Sequence, residues 1–117
     1  MYNEAMAMIN SASQAINIAE EIDSITAQLV DKYHPDRIVL FGSAVWGGGD
    51  MNDIDLLIVK ADVPYYGIDR MRELDRLIDR NFAADMLVYT PAEVKELLEM
   101  GDPFLKKIFR DGKVLHG

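Results

Sequence analysis

The chain has 117 residues, half of them hydrophobic, and no long tract rich in Pro, Ser or Gln, so it is read as one compact domain with an ordinary core. Twenty acidic against twelve basic residues give a net charge of -8, which disfavours a long nucleic-acid partner and suits a basic protein or a metal-chelated small anion. With no cysteine and only two histidines, His34 and His116, far apart in sequence, disulfides, thiolate metal sites and a zinc cluster are excluded.

The opening "MYNEAMAMIN" lacks a basic n-region and carries Glu4 early, so no signal peptide is expected. No apolar run reaches membrane-spanning length, and a cytoplasmic protein is the expectation. Residues 4 to 33 read as helix, with Ile9, Ala12, Ile16, Ala19, Ile22, Leu29 and Tyr33 on one face. Ser11 with Gln14 forms a capping-box pattern that would divide it in two. This apolar segment, Met6 and Met8 included, suits core packing, self-association or partner docking. Pro35 ends the helix by pushing His34 out of the α region.

"RIVLF", residues 37 to 41, is short and apolar on both faces, which predicts a buried strand. "GSAVWGGGDMN" turns the chain back, and "DIDLLIVK", residues 53 to 60, predicts a second strand. After the loop "DVPYYG", Ile68, Met71, Leu74, Leu77 and Ile78 mark a helix. Its other face, with Asp69, Arg72, Glu73, Arg76, Asp79 and Arg80, reads as solvated ion pairs. "ADMLVY", residues 84 to 89, is a third strand. Thr90, Pro91 and Glu93 supply cap, first helical residue and capping-box acid for a helix over Val94, Leu97 and Leu98, stopped by Gly101. Asp102 and Pro103 start another helix with Phe104, Leu105 and Ile108, and a turn leads to a last strand, "KVLHG".

Chemistry gathers in residues 40 to 59, "LFGSAVWGGGDMNDIDLLIV". Alternation along a strand puts Asp53 and Asp55 on one face, about 6.5 Å apart at Cα, close enough to converge on the same cations. The plain reading is that both acids end a loop and stay hydrated. A strand that runs into Gly42 and Ser43 and then a helical turn presents N–H groups and a hydroxyl suited to phosphate; the plain reading is a strand-to-helix turn with Ser43 as cap. Carboxylates beside phosphates call for a bridging metal, and a third acid is expected on a neighbouring strand. Asp85 is the candidate, on the face of Leu87 and Tyr89, against the plain reading of a solvated strand-start acid. Trp46 is read as packing rather than base stacking, Tyr65 and Tyr66 as surface residues, and the histidines as loop and tail positions.

"GSAVWGGGDMNDIDLLIV" resembles the signature of the DNA polymerase β nucleotidyltransferase superfamily in its small stand-alone form, the minimal nucleotidyltransferases or MNT proteins. "KYHPDRIVLFGS", "DMLVYTPAEV" and "FLKKIFRDGKVL" resemble the family's other segments, and only the first twenty or so residues lie outside the likeness. The resemblance implies that Gly42 and Ser43 hold the nucleotide's β and γ phosphates and that Asp53 and Asp55 bind two Mg²⁺ ions. It implies that Asp85 completes the catalytic metal site and helps deprotonate the attacking hydroxyl. Two features depart from the pattern. Nine residues separate Ser43 from Asp53, one fewer than usual in the minimal form, and Trp46 stands where the family commonly carries an arginine able to pair with phosphate.

The expected fold is α/β: a small mixed β-sheet carrying the three aspartates on one exposed face, with helices packed on the other, as in a nucleotidyltransferase of the polymerase β palm-like type. The expected activity is transfer of AMP from ATP to a hydroxyl. The domain that closes over the acceptor in larger members does not fit into 117 residues, so the acceptor would come from another chain or bind an open site. For MNT proteins the resemblance points to a tyrosine of a HEPN-type toxin neutralised by its antitoxin. A non-catalytic nucleotide-binding or interaction module is the alternative, and a small-molecule (antibiotic) nucleotidyltransferase the third.

Overall fold

In the computed structural model, which describes residues 18 to 47 and 53 to 117, β-branched and leucine-rich runs form a four-stranded mixed sheet. The strands are β1 (Arg37–Phe41), β2 (Ile54–Val59), β3 (Ala84–Tyr89) and β4 (Lys113–His116), in the order β3-β2-β1-β4. β1 runs antiparallel to both β2 and β4, while β2 and β3 are parallel. A parallel pair needs a crossover, here α3 (Gly67–Leu77). The remaining helices are α1, of which residues 18 to 28 are described, α2 (Ser43–Trp46), α4 (Pro91–Glu99) and α5 (Pro103–Asp111).

Helices cover both faces of the sheet, which corrects the expectation of helices on one face. Even-numbered strand residues such as Ile38, Leu56, Ile58 and Val88 pack with Ile25, Leu29 and Tyr33 and with Leu74 and Ile78 of the α3 region. Odd-numbered Val39, Phe41 and Leu57 pack with Leu105 and Ile108 of α5, joined by Leu97 and Leu98 of α4. The reason lies in "RIVLF" and "LLIV": a strand apolar on both sides demands a cover on both sides. The aspartate face is therefore open only at one end of the strands.

Local signals decide where elements stop. α1 widens into a π-helical turn, Leu29–Tyr33, closed by His34 in the left-handed region (φ 56°), whose N–H bonds Leu29 O at 3.0 Å. Thr90 and Glu93 form the complete capping box of α4. Gly101 (φ 81°) ends that helix in a Schellman motif, with Asp102 N–H on Leu97 O at 2.9 Å and Gly101 N–H on Leu98 O at 3.1 Å. Asp102 caps α5 by accepting from Leu105 N–H at 2.8 Å.

Two helical faces differ from their sequence patterns. In α1 the buried line runs through Ile25, Leu29 and Tyr33, while Ala19 is exposed. In α3 the buried residues are Arg70 and Leu74, whereas Ile68 and Met71 face solvent. Ile9, Ala12, Ile16, Met6, Met8 and the Ser11–Gln14 capping box lie outside the described residues. Among the described residues no helix is long and apolar enough to cross a membrane.

Candidate active site

β1 hands the chain to α2 through Gly42, whose backbone (φ 77°, ψ -155°) is open to glycine but strained for other residues. A second constraint acts at the same place. A Cβ on Gly42 would collide with Asp55 Oδ2 and stand 3.1 Å from Asp55 Cγ. The glycine thus lets a carboxylate lie directly against the strand-to-helix turn, and Ser43 follows as the first residue of α2.

Sheet register brings the acids together. Asp55 is paired with Phe41 across the antiparallel ladder and with Asp85 across the parallel one. Adjacent, same-face positions on neighbouring strands put two side chains within contact. The Asp55 carboxyl is pushed above the usual carboxylate range, first by burial, then by the charges of Asp85 and Asp53 and by a hydrogen bond shared with Asp85. Asp53 precedes β2 and is exposed, so it contributes charge from the rim rather than from within the strand. A cleft of about 250 Å³ opens here, lined by Phe41, Asp55, Asp85, Leu87, Met71 and Phe104.

Two neighbouring carboxylates that repel each other are a donor set suited to a hard divalent cation. Mg²⁺ is commonly held by one or two carboxylates, with water and substrate phosphates completing its shell. Asp55 and Asp85 fit that requirement, with Asp53 at the rim. Among the described residues no group of three or more His, Asp or Glu side chains converges on one metal position.

Trp46 packs into the odd face, tilted against Phe41 at a ring separation of 6.2 Å, as its packing reading expects. Its indole N–H is buried without a hydrogen-bond partner among the described residues. Lys107 of α5 places its Nζ 4.2 Å from the Trp46 ring centre, a cation near the turn where the resembled family has an arginine. Tyr65 and Tyr66 are exposed and meet edge to face at 5.1 Å. His34 is exposed at the end of α1, and His116 lies in β4 opposite Ile38, a strand residue rather than a tail. Neither histidine lines the carboxylate cleft.

The sequence reading missed Arg70. It is 6% exposed and donates from Nε to Pro64 O (2.6 Å), from Nη1 to Val88 O (3.0 Å) and from Nη2 to Tyr65 O (3.2 Å). It also pairs with Glu93 at 2.7 Å, so one guanidinium joins the loop before α3, the edge of β3 and the start of α4. The signal was available: Arg70 lies four residues before Leu74, on the buried helical face. Glu21 follows the same rule four residues before Ile25; it is buried and accepts from the N–H groups of Asn81 and Phe82.

A larger cleft of about 620 Å³ lies at the other end of β1 and β2, lined mainly by Val59, Val94, Leu98 and Phe109 with Arg37 and Lys95. Arg37 pairs with Val59 at the opposite end of the ladder from Phe41 and Asp55, so this cleft is separate from the acids. Its single acid, Asp36, has no carboxylate neighbour in the lining. No family model, curated protein or solved structure matches the chain significantly.

Proposed function

We propose that the protein is a Mg²⁺-dependent nucleotidyltransferase with a polymerase β palm-like fold, which moves AMP from ATP to a hydroxyl of a partner protein, a tyrosine of a HEPN-type toxin. The observation that carries this reading is the close approach of Gly42 and Asp55, where a strand-to-helix turn and a carboxylate meet with Asp85 in register beside them. Gly42 and Ser43 would hold the β and γ phosphates. Asp53 and Asp55 would hold two Mg²⁺ ions, with Asp85 completing the catalytic site. Bound there, the cations would neutralise phosphate oxygens and lower the pKa of the attacking hydroxyl.

In the transfer a bond forms between the acceptor oxygen and the α-phosphorus, and the bond from that phosphorus to the bridging oxygen breaks. Pyrophosphate leaves toward Gly42 and Ser43, and Asp85 takes the hydroxyl proton. Phe41, Leu87 and Phe104 give the cleft apolar walls, and a docked partner would complete the exclusion of water. Lys107 can supply positive charge to the leaving phosphates in place of the missing arginine.

Calorimetry tests the site. Mg²⁺-dependent ATP binding should be lost in Asp53→Asn/Asp55→Asn, because neutral amides do not hold the cations that bridge the phosphates. Asp85→Asn should keep most of the affinity and lose transfer by about 100-fold or more. Unchanged ATP affinity in the double variant would remove the assignment. Trp46, packed on Phe41 where the resembled family commonly carries an arginine, favours a second reading, a non-catalytic nucleotide-binding antitoxin or interaction module that neutralises its partner by contact alone. A tight partner complex that acquires no AMP with either Mg²⁺ or Mn²⁺ would select that reading.

A further inference from the structure

β3 is an edge strand, with β2 on one side and no strand on the other among the described residues. Ile54 N–H bonds Ala83 O at 3.3 Å and Lys60 N–H bonds Tyr89 O at 3.0 Å, which directs odd-numbered residues of this segment toward β2. In an evenly spaced parallel ladder the even-numbered residues Ala84, Met86 and Val88 then turn N–H and C=O outward. The Val88 carbonyl does so, since it accepts from Arg70 Nη1 at 3.0 Å.

Two adjoining clefts lie along this edge. The 250 Å³ carboxylate cleft and a neighbouring cleft of about 280 Å³ share Met71, Met86 and Leu87. Met86 is 5% exposed, belongs to the core and lines both clefts. Asp55 and Asp85 stand at one end and the Arg70–Glu93 pair at the other. Three exposed apolar residues, Tyr65, Met71 and Phe104, line it. From Asp85 to Tyr89 the strand spans about 13 Å. Open edges are usually blocked by Lys, Pro or a bulge, and "ADMLVY" has neither Lys nor Pro.

We propose that the edge of β3 is the acceptor-docking site: an extended, basic segment of a partner protein, about five residues long, adds to β3 as a fifth strand and sets a hydroxyl side chain opposite Asp85. Each property follows from the edge and its clefts. The Val88 carbonyl is already bonded by Arg70, so the outward groups offered to an extended main chain are those of Ala84 and Met86 and the Val88 N–H. Side chains of an added strand opposite Asp85 and Leu87 fall on the cleft face, so a hydroxyl there meets the carboxylates, while its neighbours two residues away meet Leu87 and Phe104. Asp53, Asp55 and Asp85, on a chain of net charge -8, select positive charge in the segment. The role of the docked hydroxyl rests on the nucleotidyl-transfer reading; the docking itself does not.

The test selects random heptapeptides displayed on phage against the full-length chain, without ATP or metal, and studies the selected peptides by amide exchange. In the free protein the amides of Met86 and Val88 should exchange faster than those of Leu87 and Tyr89. At a peptide concentration ten times its Kd they should slow by about tenfold. N-methylation of alternate peptide amides should abolish binding while methylation of the intervening ones leaves it unchanged, the signature of strand addition. Selected peptides should be basic and should carry Ser, Thr or Tyr at one fixed position. Failure to select any peptide, protection mapped to the 620 Å³ cleft or to α5, or methylation effects without a period of two would overturn the proposal. So would Met86 and Val88 amides already protected in the free chain, since the edge would then be covered by residues 1 to 17 or by a second copy. ATP titration on the same protein separates the two readings. Strand addition without Mg²⁺-dependent ATP binding leaves the dock and removes the transferase; ATP binding without strand addition does the reverse.

Discussion

Gly42 and Asp55 constrain each other. A methyl group at Gly42 meets both a left-handed backbone and the Asp55 carboxylate, so Gly42→Ala should destabilise the fold by about 2 kcal/mol or more, measured by urea unfolding. Adding Asp55→Ala should recover the steric share and leave the backbone share, which a double-mutant cycle resolves. Asp55 alone carries the opposite sign. Its folded pKa is raised, so the fold favours the neutral acid, and that preference is lost as pH rises from the unfolded value of about 3.9 through the raised one. Asp55→Asn should therefore raise the thermal midpoint at pH 7 in EDTA, and the gain should vanish below about pH 4. A lower midpoint at pH 7 would mean that the acid cluster is not under electrostatic strain. A variant more stable and inactive is what a site held open for cations predicts.

At the scale of elements, α4 is held twice by one side chain. Glu93 accepts from Thr90 N–H at 2.7 Å as the capping-box acid and binds Arg70 through both of its oxygens. Its carboxyl lies below the usual range, chiefly through the hydrogen bond with Arg70, so its stabilisation is present above the unfolded pKa and lost as pH falls through the lower folded value. Glu93→Ala should cost about 2 to 4 kcal/mol, because it removes a cap and leaves a buried guanidinium with carbonyl partners alone. Glu93→Gln, which keeps a cap acceptor without the charge, should cost roughly half as much. Equal losses in denaturant midpoints would show that the ion pair outweighs the cap. The pair also stands at the end of the clefts along β3, so Glu93→Ala should loosen the loop that carries Tyr65.

For the whole molecule, charge and layering set the kind of partner. On the proposed reading, a net charge of -8 would steer a basic surface toward the cleft and repel free nucleic acid. The association rate with a basic partner should fall steeply between low and physiological salt, while the dissociation rate changes little, as stopped-flow mixing can measure. A rate independent of salt would place the contact on the apolar cleft walls instead. With helices on both faces of the sheet, a partner docked along β3 would reach Asp55 and Asp85 through the cleft they line.

The sequence by itself determined the local elements. All four strands, the cap of α4 and the glycine stop at Gly101 were legible because each rests on alternation, a capping residue or a backbone that only glycine adopts freely. It also set Asp55 and Asp85 apart as acids on apolar strands, and it read Asp53 into the second strand, whereas β2 begins one residue later. Tertiary structure decided what local rules do not reach. Helices on both faces follow from burial of the whole sheet, a property of several elements at once. The parallel register put Asp85 beside Asp55 and left Asp53 at the rim, and one residue of slip would have sent Asp85 to the other face. Packing also turned Ile68 and Met71 outward and Arg70 inward, because the guanidinium found three carbonyls and a carboxylate that no helical period specifies.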